Sequence, residues 1–134
     1  MVYVTRRETF NAAHRLFNPK YTDEENLKIF GKCSNPNWHG HNYVLEVVVK
    51  GEVDKDTGFV INQKELKRIM REQVIEKMDH KNLNIETDFM KGVIPTSENI
   101  VIAIWAQLVN EIKNGVLYSV KLYETENNYF EYRG

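Results

Sequence analysis

The sequence predicts an α+β fold, an antiparallel β-sheet carrying two long helices on one face. Three observations lead there. Two long stretches repeat apolar residues at three- and four-residue spacing, the mark of a helix with one buried face. Four other stretches are β-branched and aromatic runs with polar residues interleaved, as half-buried strands are. The strands cluster before and after the helices instead of alternating with them, which argues against a parallel βαβ sheet.

In chain order, residues 2–10 form the first strand, with Val2, Val4 and Phe10 set among Arg6, Arg7 and Glu8. Residues 22–30 (TDEENLKIF) predict a short helix with Thr22 as N-cap, an acidic first turn and Gly31 as its stop. From His39 to Lys50 a strand places His39, His41, Tyr43, Leu45, Val47 and Val49 on one face. Asp54 to Gly58 (DKDTG) is turn chemistry.

Residues 62–78 form the first long helix, striped by Leu66, Ile69, Met70, Val74 and Met78. Asn62 is its cap, and Glu65 completes an approximate capping box. The second helix runs from Ser97, its expected cap, to Asn114, with Ile100, Val101, Ile104, Trp105, Leu108 and Ile112 in the stripe and Gly115 as the stop. Residues 116–124 and 128–133 close the chain as a hairpin. About four strands leave open edges, which an oligomer would complete.

At 134 residues the chain fits one domain, residues 1–134, with an ordinary globular balance of 42% apolar and 28% charged residues. A net charge of −1 gives no footprint for nucleic acid or an anionic membrane. One cysteine cannot make an internal disulfide. No apolar run suits a signal peptide or a membrane span. A soluble, cytoplasmic protein is expected.

The candidate chemistry centres on CSNPNWHGHNY, residues 33–43, which holds the cysteine and two of the four histidines. On a strand, His39 and His41 point the same way, roughly 6.5–7 Å apart along the chain. Two imidazoles so placed can converge on one ion, with Zn–N distances of about 2.0–2.1 Å. Alone, the pair is equally two polar side chains at a strand's frayed start. His14 (in FNAAH) and His80 are the other histidines, and three imidazoles without a fourth protein ligand would leave the open position of a catalytic zinc. Cys33, flanked by Lys32 and Ser34, is either a small buried hydrophobe or, beside a metal, a thiolate base. Asp79-His80 closes the first long helix, either as a histidine suited to a helix C-terminus or as a carboxylate-imidazole proton relay. Glu124 is a turn residue or a carboxylate that accepts two parallel hydrogen bonds from an amino-pyrimidinone edge.

Taken together, FNAAH, DEENLKIFGKCSNPNWHGHNY, MDHKNLN, PTSENI and LYETENN resemble the 6-pyruvoyl-tetrahydropterin synthase family and its bacterial 6-carboxytetrahydropterin relatives, in order and spacing along nearly the whole chain. The resemblance implies the tunnelling (T-) fold, a homohexamer of two stacked trimeric β-barrels, and active sites at subunit interfaces. It implies Zn2+ held by His14, His39 and His41, with Cys33, Asp79 and His80 catalytic. Glu124 would anchor the pterin ring, with Thr96 and Ser97 lining its pocket. The implied substrate is 7,8-dihydroneopterin triphosphate, which loses triphosphate and tautomerises without a nicotinamide cofactor. The absence of a glycine-rich dinucleotide fingerprint agrees.

The product, 6-pyruvoyl- or 6-carboxy-tetrahydropterin, stays open, and with it the pathway, tetrahydrobiopterin or queuosine synthesis. The six-position interval from Cys33 to His39 resembles the 6-pyruvoyl enzymes. Trp38 departs from the small residue expected before His39. Cupin metalloproteins also use His-x-His followed by Glu, but Glu46 lies on the opposite strand face from His41 and no later histidine motif follows. A pterin-binding protein with a structural zinc and no catalysis is the remaining alternative.

Overall fold

A computed structural model describes all 134 residues. Five strands form one sheet in the order β3-β1-β2-β4-β5. They are β1 (Val2–His14), β2 (His39–Gly51), β3 (Lys81–Asn82), β4 (Val116–Thr125) and β5 (Asn128–Tyr132). All pairings are antiparallel except β1–β3, so the expected antiparallel sheet gains one short parallel edge. The sequence signal for β3 is two residues long, too short for any periodicity.

β1 extends four residues beyond the expected Phe10 boundary. Asn11, Ala12 and Ala13 are poor strand formers, but pairing with Asn42, His41 and Gly40 overrides propensity. Strand parity then sets the burial. Phe10, Ala12 and His14 on β1, and Tyr43, Leu45, Val47 and Val49 on β2, are all buried on one face.

Against that face lie the helices. The first long stretch is not one regular helix. It comprises α2 (Gln63–Met70), a π-helical segment at Arg71–Ile75, and α3 (Glu76–Met78). At about 100° per residue, a regular α-helix would carry Ile75 half a turn away from Leu66. The wider π turn re-phases the stripe, and Ile75 and Met78 are both buried. Asn62 is the cap, its side chain accepting from the Lys64 N–H. The expected capping box does not form, because Glu65 pairs with Arg68 instead.

The second helix, α4, spans Ser97–Leu108, and its cap is Thr96, not Ser97. It ends a turn and a half before the expected Asn114. Bonds from the Glu111 and Ile112 N–H groups to the Leu108 carbonyl tighten the chain and return Ile112 to the core. Gly115 is not a helix stop. It is a left-handed corner before β4 where a Cβ would lie 2.7 Å from Val49 Cγ1. The short helix α1 (Asp23–Phe30) has the full capping box at Thr22 and Glu25. One cluster of 24 buried apolar residues joins sheet and helices. No helix is long and apolar enough to cross a membrane.

Candidate metal centre and active site

The β1–β2 ladder ends on the pair His14↔His39, with His41 opposite Ala12. All three histidines share the parity of the buried face, so their rings converge at the end of the core. Ring centroids lie 4.5 Å apart for His14–His39 and 5.1 Å for both His14–His41 and His39–His41. One ligand nitrogen from each lies within 4.8 Å of the others.

The nitrogens are disposed as a ligand set. His14 Nε2 and both ring nitrogens of His39 are buried without a hydrogen-bond partner, an arrangement that costs free energy unless each imidazole's lone pair finds an acceptor and the His39 N–H a partner. His14 Nδ1 sits 2.8 Å from the Pro95 carbonyl. A carbonyl only accepts, so Nδ1 donates and the Nε2 lone pair is left facing the cluster. This is how metal-ligating histidines are usually oriented. Burial pulls the His14 pKa down to about 4 against the opposing Pro95 bond, with the His39 and His41 charges adding to the depression. Burial, then the His41 charge, lowers His39 as well. Neutral imidazoles at neutral pH are what a metal requires. The residues therefore fit a metal ion.

Tyr43 continues the same face, and its hydroxyl lies 3.4 Å from His14 Nδ1. Burial, the Glu124 carboxylate and Cys33 push its pKa far above the ordinary tyrosine value, so it stays a neutral phenol. Sequence reasoning placed Tyr43 on this face without giving it a place in the site, although its i, i+2 spacing from His41 carried the signal.

Glu124, near the end of β4, accepts a 2.6 Å hydrogen bond from the Ser97 hydroxyl. Ser97 is buried and opens α4, whose positive N-terminal end favours a carboxylate. Thr96 is committed differently, its hydroxyl capping the Asn99 N–H. Thus one segment, Pro95–Ser97, touches both His14 and Glu124.

Cys33 lies on a 3-10 turn, Gly31–Ser34, and is partly exposed. Its carbonyl accepts from the Leu16 N–H at 2.8 Å, and the Arg15 Nε donates to the Ser34 carbonyl at 2.7 Å. These bonds clasp the cysteine turn to the chain just beyond His14. Trp38 begins the corner into His39 with φ of +69°, a conformation costing a bulky residue of order 1–3 kcal/mol. Glycine would take that backbone without this cost.

Asp79 and His80 are docked on β1. The Asn11 N–H donates to Asp79 Oδ1 at 3.0 Å, and the His80 N–H donates to the Asn11 carbonyl at 2.7 Å. His80 takes φ of +59°, and its Nδ1 lies 2.9 Å from Asp79 Oδ2. The Asn11 bond, then the His80 contact, holds the Asp79 carboxyl below its usual range, with Arg71 helping. No hydrogen bond or ion pair joins this dyad to the histidine cluster, and the His80 side chain is 76% exposed.

Comparison with known proteins shows the family of the chain. The 6-pyruvoyl tetrahydropterin synthase family profile matches residues 3–134. The chain is 52% identical over 133 residues to the 6-pyruvoyl tetrahydrobiopterin synthase of Dictyostelium discoideum, covering 99% of this chain and 96% of that protein. It is 49% identical over 131 residues to the protein of that name from Homo sapiens, covering 98% and 90%. Its fold is similar to the Caenorhabditis elegans 6-pyruvoyl tetrahydropterin synthase structure, with a TM-score of 0.93, 43% identity and coverage of 99% and 95%. The chain belongs to the 6-pyruvoyl tetrahydropterin synthase family, a family of lyase-type enzymes.

Proposed function

We propose that the protein converts 7,8-dihydroneopterin triphosphate to 6-pyruvoyl-tetrahydropterin and triphosphate. The observation that carries this is the convergence of His14, His39 and His41, with orphaned ring nitrogens, beside the Ser97–Glu124 pair and the Cys33 turn. Zn2+ is the metal the all-imidazole donor set suits, and when bound it supplies Lewis acidity toward the side-chain hydroxyls of the substrate.

The chain's own residues do the rest. Glu124, oriented by Ser97, accepts two parallel hydrogen bonds from the amino-pyrimidinone edge and fixes the ring. Cys33 as thiolate takes the carbon-bound proton of the substrate side chain, and the Asp79-oriented His80 exchanges the partner proton. Collapse of the resulting enol expels triphosphate, and tautomerisation gives the ketone. The side chain is oxidised as the ring is reduced, so no external redox partner enters.

The assembly proposed is the T-fold homohexamer, with β3 and β5 edges closed in trimeric barrels and the exposed Asp79-His80 dyad serving a neighbouring subunit's cluster. The proposal places this chemistry in the cytoplasm, on a single domain of residues 1–134. The 6-pyruvoyl product is preferred because relatives named for it are 49–52% identical over nearly the whole chain. The archaeal relative named a putative 6-carboxy-5,6,7,8-tetrahydropterin synthase is 35% identical over 125 residues.

Mass spectrometry of the pterin formed from 7,8-dihydroneopterin triphosphate tests the proposal. The 6-pyruvoyl mass is expected. The 6-carboxy mass would assign the other product, and unchanged substrate would mark a non-catalytic pterin-binding protein. Cys33→Ala should cut triphosphate release by about 10²–10⁴-fold while the protein stays folded and metal-loaded. Undiminished release would remove Cys33 from the chemistry.

A further inference from the structure

Arg15 is a half-buried cation without a counter-charge, since no carboxylate forms an ion pair with it. It is nevertheless held firmly. Its N–H donates to Asn84 Oδ1 and its carbonyl accepts from Asn84 Nδ2, both at 2.9 Å. Its Nε donates to the Ser34 carbonyl at 2.7 Å, and its guanidinium carbon lies 4.1 Å from the centre of the Phe17 ring. The Nη edge of the fork is left without a protein acceptor.

That side chain lines a cavity of about 660 Å3 together with Lys32, Ser34, Asn35 and Asp23. Lys32 is a second cation with no carboxylate partner. Lys32 and Ser34 are the two chain neighbours of Cys33, and Arg15 directly follows His14. The cavity therefore abuts the Cys33 turn, which the Leu16 N–H ties to the end of β1 through the Cys33 carbonyl. The Asn35 amide oxygen is taken by the Asn37 N–H, so its NH2 adds a donor. Asp23, exposed on the first turn of α1, is the one carboxylate in the wall. A preset guanidinium fork and a nearby ammonium are the groups that recognise phosphate.

We propose that this cavity holds the oligophosphate chain of the substrate, an assignment that rests on the lyase reaction proposed above. Triphosphate hangs from the far end of the trihydroxypropyl side chain, within a few bonds of the carbon that Cys33 deprotonates. When the C–O bond to triphosphate breaks, its electron pair passes to the phosphate oxygen. Arg15 and Lys32 offset the charge that builds there.

The test is calorimetric titration of metal-loaded protein with inorganic triphosphate, bound metal being assayed before and after, beside steady-state kinetics. Lys32→Ala should weaken triphosphate about tenfold and raise KM for 7,8-dihydroneopterin triphosphate alike. Its affinity for unphosphorylated 7,8-dihydroneopterin should not change. Arg15→Lys keeps the charge but loses the fork, and should weaken triphosphate severalfold. Asp23→Asn removes the opposing carboxylate and should tighten it severalfold, which a loss of packing would not do. Wild-type triphosphate affinity in both Lys32→Ala and Asp23→Asn would overturn the proposal. So would triphosphate that binds without raising the apparent KM for substrate. Should Arg15→Lys fail to fold, the exposed positions Lys32 and Asp23 still decide. Wild-type protein that turns over no substrate yet binds triphosphate through Lys32 would sink the reaction and leave the oligophosphate site standing.

Discussion

Removing the metal should make stability depend steeply on pH, and His14 sets the size of the effect. In the folded metal-free protein, burial holds His14 at about 4, against an ordinary value of 6.5. A base with a lowered folded pKa leaves the unfolded chain binding more protons across that window. Stability is therefore intact above about 6.5 and falls as the pH drops toward 4. A difference of 2.5 units is worth at most about 3 kcal/mol. His39, lowered for the same cause, adds in the same direction. The assay is urea denaturation of chelator-treated protein from pH 7.5 to 4.5 at fixed protein concentration, by circular dichroism, beside a His14→Gln variant. Carboxylates such as Asp79 titrate in both proteins, so the difference between the curves isolates His14. Wild type should lose roughly 2–3 kcal/mol more than the variant. Metal-loaded protein at neutral pH should gain stability by mass action. Parallel curves for wild type and variant would refute the claim that His14 is buried as a neutral, ligand-ready imidazole.

Other outcomes follow from single contacts. Ser97→Ala removes a hydrogen bond to a charged group, worth about 1.5–3 kcal/mol. It should lower kcat/KM roughly ten- to hundredfold, mainly through KM, with Ser97→Thr restoring most of it; an unchanged KM would refute the Glu124 clamp. Gly115→Ala combines φ of +72° with a Cβ 2.7 Å from Val49 Cγ1 and 2.8 Å from the Lys50 carbonyl, so urea unfolding should show a loss of order 3 kcal/mol. Gly92→Ala, at φ of +76° with open space around its Cβ, should lose only about 1 kcal/mol. Equal losses would mean the Gly115 packing clash is not felt.

How much of this was legible depended on how local the cause was. The pairing of His39 with His41 follows from strand parity alone, and the Thr22 cap from four consecutive residues. The reach of β1 to His14 was invisible, because Asn11-Ala12-Ala13 is held extended by its partner strand and not by its own propensity. The π turn was hidden in a stripe that reads acceptably as a helix until Ile75 must be buried too. Thr96 and Ser97 are both good caps, and only the demand of Glu124 on the Ser97 hydroxyl decides between them. Pro95 could not be found from sequence, since its contribution is a backbone carbonyl and no side-chain pattern records it.

The site's geometry rests on the start of one helix. α4 fixes Thr96, Ser97 and, just before them, Pro95, and the Thr96 cap ties this turn to the Asn99 N–H. From that turn one contact reaches across to β1 at His14 and another to β4 at Glu124, over 2.8 Å and 2.6 Å respectively. β1 and β4 are not neighbours in the sheet, since β2 lies between them. The ladder alone therefore fixes their backbones but not the directions of His14 and Glu124. The helix start supplies those directions, and it does so through short hydrogen bonds on a rigid element, the condition for holding a constellation to a fraction of an ångström. His14 and Glu124 supported this way cannot drift independently. Loosening the Pro95–Ser97 turn should thus disturb metal affinity and substrate affinity together, whereas changing Cys33 should disturb neither.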